Sequence, residues 1–139
     1  MPIALVCHRG IGPTVSGTAL VADDNFSARY DLDRAKGIFS RPAHKLFGQS
    51  YVGQILVLVT AKGGVASAWM LREMTERGLA PKAILFDRAN TILAQGAAFA
   101  DMTLLDRFEA GCPTKSIRTG DDLRIEPGKG QVTIQNRDA

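Results

Sequence analysis

The residues best suited to chemistry stand together in Thr60-Ala61-Lys62-Gly63-Gly64-Val65-Ala66-Ser67. Two adjacent glycines let backbone amides approach a ligand closely, and Lys62 adds a point charge beside them. Thr60 and Ser67 bring a hydroxyl to either end. Ahead of the segment runs Ile55-Leu56-Val57-Leu58-Val59, and behind it a helical pattern extends to Arg77. Strand, tight loop and helix start form the arrangement that points N–H groups and a positive helix end at an anion. The spacing is not that of a Walker loop, because no G-x-x-x-x-G-K-[ST] pattern is present. A tight strand–helix turn with no ligand is an equally open reading of the glycine pair.

Other chemistry-bearing residues are scattered. His44 lies in an irregular stretch beside Lys45 and near Gln49 and Ser50. There it could orient a substrate, exchange a proton, or serve as a surface or capping residue. His8 neighbours Arg9 and a glycine in an N-terminal segment expected to be mobile. Asp31 and Asp33 read as a solvated acidic loop, Asp121 and Asp122 as turn residues before a strand. Trp69 reads as packing at an apolar face or an interface. Cys7 and Cys112 form no CxxC pair, are too few to build a metal or iron–sulfur site, and are expected to be small buried hydrophobes. No set of nucleophile, base and orienting group is complete within the chain.

The elements that must position the loop follow from patterning. The unbroken branched run Ile55–Val59 is the signature of a strand buried on both faces. Ala66, Met70 and Met74 recur at helical spacing, flanked by Leu71, with a Glu73–Arg77 pair on the other side. Gly78 sits where a left-handed cap is wanted, and Pro81 blocks continuation. Ala83-Ile84-Leu85-Phe86 is then a second buried strand, so residues 55–86 form one right-handed βαβ unit. Strands are also expected at 16–22, at 26–30 and from Gly37 to Phe39. A shorter helix is expected from Asn90 to Gln95, closed by Gly96, then a short strand at 97–100 and a helical turn or two within 103–110. Leu123–Ile125 and Gln131–Ile134, joined by Pro127-Gly128-Lys129-Gly130, read as a hairpin. The expected fold class is therefore α/β, with strands first, a central βαβ unit and a closing C-terminal β-hairpin.

Composition sets the outer bounds. The chain has 139 residues, 45% hydrophobic and 22% charged, which suits one globular domain over 1–139 rather than a disordered segment. No apolar run approaches the ~20 residues of a membrane span. Met1-Pro2-Ile3-Ala4-Leu5-Val6 has no basic leader, and two cysteines suit a reducing compartment, so a cytoplasmic location is expected. The net charge is +3, with Lys and Arg dispersed and aromatic residues only 6%. That disfavours a nucleic-acid groove, which needs both clustered, and leaves acidic small molecules or a partner protein.

Several segments then form an ordered series. Ser16-Gly17-Thr18-Ala19-Leu20-Val21 places a glycine in the first strand. Phe26-Ser27-Ala28-Arg29-Tyr30-Asp31 and Lys36-Gly37-Ile38 come next, then His44-Lys45-Leu46-Phe47-Gly48-Gln49-Ser50. Val52-Gly53-Gln54-Ile55-Leu56-Val57-Leu58 leads into the loop. Beyond it stand Leu71, Glu73, Gly78, Ala80, Pro81, Ala83 and Ile84, followed by Ile92-Leu93-Ala94-Gln95-Gly96-Ala97. In this order the chain resembles the swivelling small subunits of the aconitase X group, which serve phosphomevalonate dehydratase and bacterial cis-3-hydroxyproline dehydratase. The second segment is similar to the family's F-W-G-G-V-D stretch, the fourth to its H-P-x-x-G-Q-S segment. The resemblance covers roughly residues 12–135.

The resemblance implies a swivelling β/β/α domain that caps a large catalytic subunit, with the iron–sulfur cluster in that partner and none held by this chain. It implies a hydro-lyase, active only with its large subunit, that eliminates water from a hydroxy acid such as cis-3-hydroxyproline or a phosphorylated mevalonate. The loop 60–67 would complete an active site shared between the subunits. In the family a serine within a G-R-G-S-S pattern is thought to be the base, and an alkoxide there needs nearby positive charge and helix-start amides. Here Gly64 and Val65 fall on the two serine positions, and neither can abstract a proton. Ser67 is the nearest hydroxyl and the expected catalytic residue, with Thr60 or the large subunit as the alternative source of a base. Thr60, Lys62, Gly63, Gly64 and His44 are the expected substrate-binding set. The loss of the loop serines also leaves open a non-catalytic regulatory or ligand-binding module. A free-standing phosphate carrier ranks last, because such carriers need a loop histidine.

Overall fold

The computed structural model describes residues 2–27, 30–62 and 65–136, with side chains throughout these except at 65–67. Nine strands are described: β1 (Ile3–Val6), β2 (Val15–Val21), β3 (Leu32–Asp33), β4 (Ile38–Phe39), β5 (Ile55–Thr60), β6 (Ala83–Arg88), β7 (Thr103–Leu105), β8 (Asp122–Glu126) and β9 (Gln131–Asn136). The helices are α1 (Val65–Glu76) and α2 (Thr91–Phe99). Seven strands form one mixed sheet in the order β1-β9-β8-β2-β5-β6-β7, and β3 and β4 make a separate antiparallel pair.

The sheet has two halves that meet at β2. On one side β2, β5, β6 and β7 run parallel; on the other β8, β9 and β1 run antiparallel. The parallel half is the βαβ unit legible in the sequence, extended by α2 and β7. Ile55 to Leu58 and Ala83 to Phe86 are fully buried, as continuous branched runs in a parallel sheet must be. Even-numbered positions such as Leu56, Leu58, Ile84 and Phe86 face a cluster with Leu71, Met74 and Leu93 from the helices. Odd-numbered Ile55, Val57, Ala83 and Leu85 face a second cluster with Ile125, Val132 and Ile134 of the hairpin.

The expected N-terminal mobility of residues around His8 is not what the fold shows. Cys7 N donates to Gly130 O at 2.8 Å, His8 N to Arg107 O at 3.3 Å, and Ile11 N to Leu104 O at 3.0 Å. Residues 7–11 thereby link the first strand to the last, and the sheet curls around the second cluster with its two edges tied together. Gly130 has φ +62°, and a Cβ there would lie 2.4 Å from Cys7 O, so only glycine permits this junction. None of this was visible locally, since the partners of 7–11 lie about a hundred residues away in sequence.

α1 ends in a Schellman motif: Gly78 N donates to Thr75 O and Leu79 N to Met74 O, at 3.1 and 3.0 Å, with Gly78 at φ +70°. The Glu73–Arg77 pair forms at 3.6 Å, joined by Arg72–Glu76 at 2.9 Å. α2 starts where Asn90 Oδ1 accepts from Leu93 N at 2.7 Å. It does not close at Gly96, and 97–100 is not a strand; the helix continues to Phe99. Gly96 serves a different purpose, because a Cβ there would sit 2.5 Å from Ala68 Cβ. Any side chain there would collide with Ala68, so glycine lets α2 pack against α1 at this position. Residues 103–105 form β7 rather than a helical turn, pairing with Ala83–Leu85. Three residues are too few to show a period. The strand expected at 26–30 is reduced to one parallel bridge between Phe26 and Ala61, and Ala28 and Arg29 lie outside the described residues.

Candidate functional site

The parallel strands all end at one edge, the position at which open α/β sheets bind ligands. The loop of interest leaves this edge between β5 and α1. Its first part is held by the segment that follows β2. Ala22 N donates to Val57 O, Val59 N to Asp24 O, Phe26 N to Thr60 O and Lys62 N to Phe26 O, at 3.0, 2.9, 2.9 and 2.7 Å. The backbone is thus fixed on one side up to Lys62. Gly63 and Gly64 lie outside the described residues. α1 resumes at Val65, so the first-turn amides of Val65, Ala66 and Ser67, without intrahelical partners, face this edge. Ser67 occupies the third helical position, inside the turn where the macrodipole is most positive.

Under the loop lies a polar bed that local sequence reading missed. Asn25 is its hub: its side-chain oxygen accepts from Thr60 Oγ1, and its carbonyl accepts from His44 Nε2 at 2.7 Å. His44 Nδ1 accepts from Leu46 N at 3.1 Å, so the ring is the neutral tautomer with its hydrogen on Nε2. The ring also stacks on Phe39 with centroids 4.7 Å apart, and the residue is buried. Both nitrogens are therefore engaged within the protein. His44 holds the segment that holds the loop and offers no free ring nitrogen to a ligand. Thr60 likewise directs its hydroxyl hydrogen to Asn25, which leaves it oriented as a support for the loop rather than as a base.

Asp31 is the largest departure from the sequence reading. Expected in a solvated loop, it is buried, with Oδ1 accepting from Arg41 Nε and Oδ2 from Ser27 N at 2.8 Å. Asp24 accepts from Asn25 N at 2.8 Å and Lys45 N at 3.1 Å. Burial raises its pKa, but those two amides, with smaller effects of the nearby His44 and Arg41, outweigh burial and hold it below the usual carboxylate value. His44 Nε2 is 3.8 Å from a carboxylate oxygen of each aspartate. The signals for this bed were present as Asp24, Asn25, Asp31 and His44. Their partners are up to 35 residues apart, and no local rule connects them.

Outside the bed the charged groups are different in kind. Lys62 and Arg88 are exposed at the ends of β5 and β6, and among the described residues neither makes an ion pair. Beyond them, Trp69, Ile92 and Phe99 are 59%, 41% and 54% exposed and line a groove of about 260 Å³ between α1 and α2. Trp69 meets Phe99 edge-on at 5.2 Å, and the Arg72 guanidinium lies 4.2 Å from the Phe99 ring centroid. Large apolar side chains exposed side by side in this way are the kind of surface on which another protein can dock.

The cysteines do not suit a cluster. Burial, with a smaller effect of the Asp106 carboxylate, pushes the Cys7 thiol up to about 11. It remains protonated at neutral pH, whereas a metal ligand must be a thiolate. Cys112 is half-buried with Sγ 3.2 Å from Thr114 Oγ1. No group of three or more His, Cys, Asp or Glu among the described residues could hold a metal. No helix among them is long and apolar enough to cross a membrane.

Comparison with known proteins places this geometry. Residues 4–134 match the aconitase X swivel domain. The phosphomevalonate dehydratase small subunit of Methanothrix thermoacetophila is 34% identical over 73% of this chain and 74% of its own length. That of Methanocella arvoryzae is 28% identical over 91% of this chain and 96% of its own. In three dimensions the chain superposes on Thermococcus kodakaraensis aconitase X, in a crystal structure of the holo form, with a TM-score of 0.88. The overlap covers 96% of this chain and 99% of that one, at 27% identity. The match spans both halves of the sheet and the edge that carries the loop. This chain belongs to the aconitase X swivel domain family.

Proposed function

We propose that this chain is the small subunit of a phosphomevalonate dehydratase, an aconitase X-type hydro-lyase. The observation that carries the reading is the start of the loop, anchored through Lys62 on the Asn25–His44 bed at the carboxyl edge of the aconitase X swivel fold, in a chain similar to small subunits of that name. The exposed groove at Trp69, Ile92 and Phe99 supports a protein partner, which we take to be the large subunit. The iron–sulfur cluster belongs to that partner, since the thiols of this chain do not suit one.

Loss of water from a 3-hydroxy acid removes a proton from the carbon beside the carboxylate and the hydroxyl from the next carbon. This chain contributes anion binding and a base. Lys62 and the first-turn amides of α1 bind and orient an anionic group of the substrate, with Gly63 and Gly64 allowing its close approach. The Ser67 hydroxyl takes the proton, and the helix start and Lys62 stabilise the alkoxide that this requires. Thr60 and His44 hold the loop in register. Co-expression with a cluster-bearing large subunit tests the reading. A complex that dehydrates phosphomevalonate is the expected result; a chain that forms no complex and supports no turnover would refute it.

A further inference from the structure

Among Asp24, Asn25, Asp31, His44 and Thr60, one polar side-chain group is left over. Asp24 and Asp31 each accept through both carboxylate oxygens, His44 uses both ring nitrogens, and Thr60 donates to Asn25. Asn25 is itself fixed at three atoms. Its backbone N donates to Asp24 Oδ1 at 2.8 Å, its carbonyl accepts from His44, and its side-chain oxygen accepts from Thr60. What remains is the Asn25 amide nitrogen, which has no hydrogen-bond partner among the described residues. Holding the amide oxygen on Thr60 also fixes the direction of that nitrogen and its two N–H groups.

The group stands at the loop. Asn25 precedes Phe26, which bridges Ala61 and accepts from Lys62 N at 2.7 Å. Strand alternation puts Thr60 in line with Leu56 and Leu58, on the face that packs against Leu71 and Met74 of α1. The Asn25 carboxamide, bonded to Thr60, therefore lies on the face that α1 covers, at the edge where α1 starts. The residue is half-buried, so a ligand can reach the nitrogen while the backbone around it is held.

We infer that the Asn25 amide nitrogen is a substrate-binding donor, giving a hydrogen bond to a carboxylate oxygen of the hydroxy acid. The inference rests on the dehydratase reading above and adds a residue and its role to that site. An N–H donor calls for an acceptor. Asp24 and Asp31 stand in the same bed, so a carboxylate is favoured there over a more highly charged phosphate ester. When Ser67 takes the proton from the neighbouring carbon, the electron pair of the broken C–H bond spreads onto that carboxylate. A donor already held in place bonds more strongly as this charge builds, which favours the transition state over the bound substrate.

A double-mutant cycle in the reconstituted two-subunit complex separates this role from support of the loop. Thr60→Val removes the support and leaves the amide. Adding Asn25→Ala to Thr60→Val should lower kcat/KM for phosphomevalonate about tenfold further, mostly in kcat, the ~1.4 kcal/mol of one hydrogen bond to a charged group. If the second substitution changes nothing, Asn25 acts only through Thr60 and the inference is overturned. A second readout needs neither substitution nor turnover. The chain has three asparagines, Asn25, Asn90 and Asn136, so nitrogen-15 asparagine gives three side-chain amide signals. Phosphomevalonate added to the labelled complex should shift the Asn25 signal and leave that of Asn136 in place; an unmoved Asn25 signal overturns the inference. A complex that does not dehydrate phosphomevalonate sinks the dehydratase reading alone. Glutarate, a plain dicarboxylate, then replaces it in the titration: a shifted Asn25 signal keeps the residue as a carboxylate donor, and an unmoved one overturns the inference.

Discussion

The bed and the rim of the carboxyl edge are built on opposite principles. In the bed, Asp31 and His44 are buried and each of their side-chain polar atoms has a protein partner. On the rim, Lys62 and Arg88 are exposed and, among the described residues, lack ion-pair partners. A buried polar group without a partner costs stability, so the bed must be complete to fold. A ligand-binding cation whose partner is a protein carboxylate is already occupied, so a rim that binds substrate as proposed has to be left incomplete. Changes in the bed should therefore appear as lost stability, and changes in the loop and rim as lost activity with the fold intact.

The largest effect is expected in the bed. His44→Ala removes two hydrogen bonds and a stacked ring, and should cost about 3 kcal/mol of unfolding free energy. Chemical denaturation measures it. A loss below about 1 kcal/mol would erase the distinction between bed and rim. Next is Ser67→Ala, which should lower kcat of the complex on the order of 10²-fold, the range of a general base, while stability changes little. Near-normal turnover would make Ser67 structural and return the search for the base to the large subunit.

The smallest effect concerns acid. The folded-state pKa of Asp24 is depressed, so its contribution to stability is present above the unfolded value of about 4 and is lost as pH falls through the folded value. Stability should thus decline on acidification below about pH 4, and Asp24→Asn should flatten that limb while leaving the neutral-pH profile parallel to wild type. Thermal unfolding between about pH 3 and 6 reads this. A limb of unchanged slope would mean that the Asn25 and Lys45 amides do not hold the carboxylate as the geometry indicates.

The sequence made the βαβ core legible because it is contiguous: a branched run, a helical period, a capping glycine and a second branched run. The hairpin was legible through its Pro-Gly turn. The resemblance to aconitase X swivel subunits, read from short ordered segments, is borne out by the family match and the superposition. What was not legible is long-range. Asp31 looked solvated because the β3–β4 turn is what brings Arg41 back to it, and the His8 segment looked mobile because Gly130, Arg107 and Leu104 are distant. His44 stood out as a histidine, but only its two partners show that it supports the loop rather than facing a ligand. Gly96 looked like a helix stop, whereas the crossing of α1 and α2 is what requires it.

The central claim is that this edge is half of an active site whose other half is the large subunit. The most direct test titrates this chain into a fixed amount of purified large subunit while water loss from phosphomevalonate is followed. Each subunit alone should be inactive, and the rate should rise with added chain to a plateau at one small subunit per large subunit. A large subunit equally active without this chain would contradict the claim.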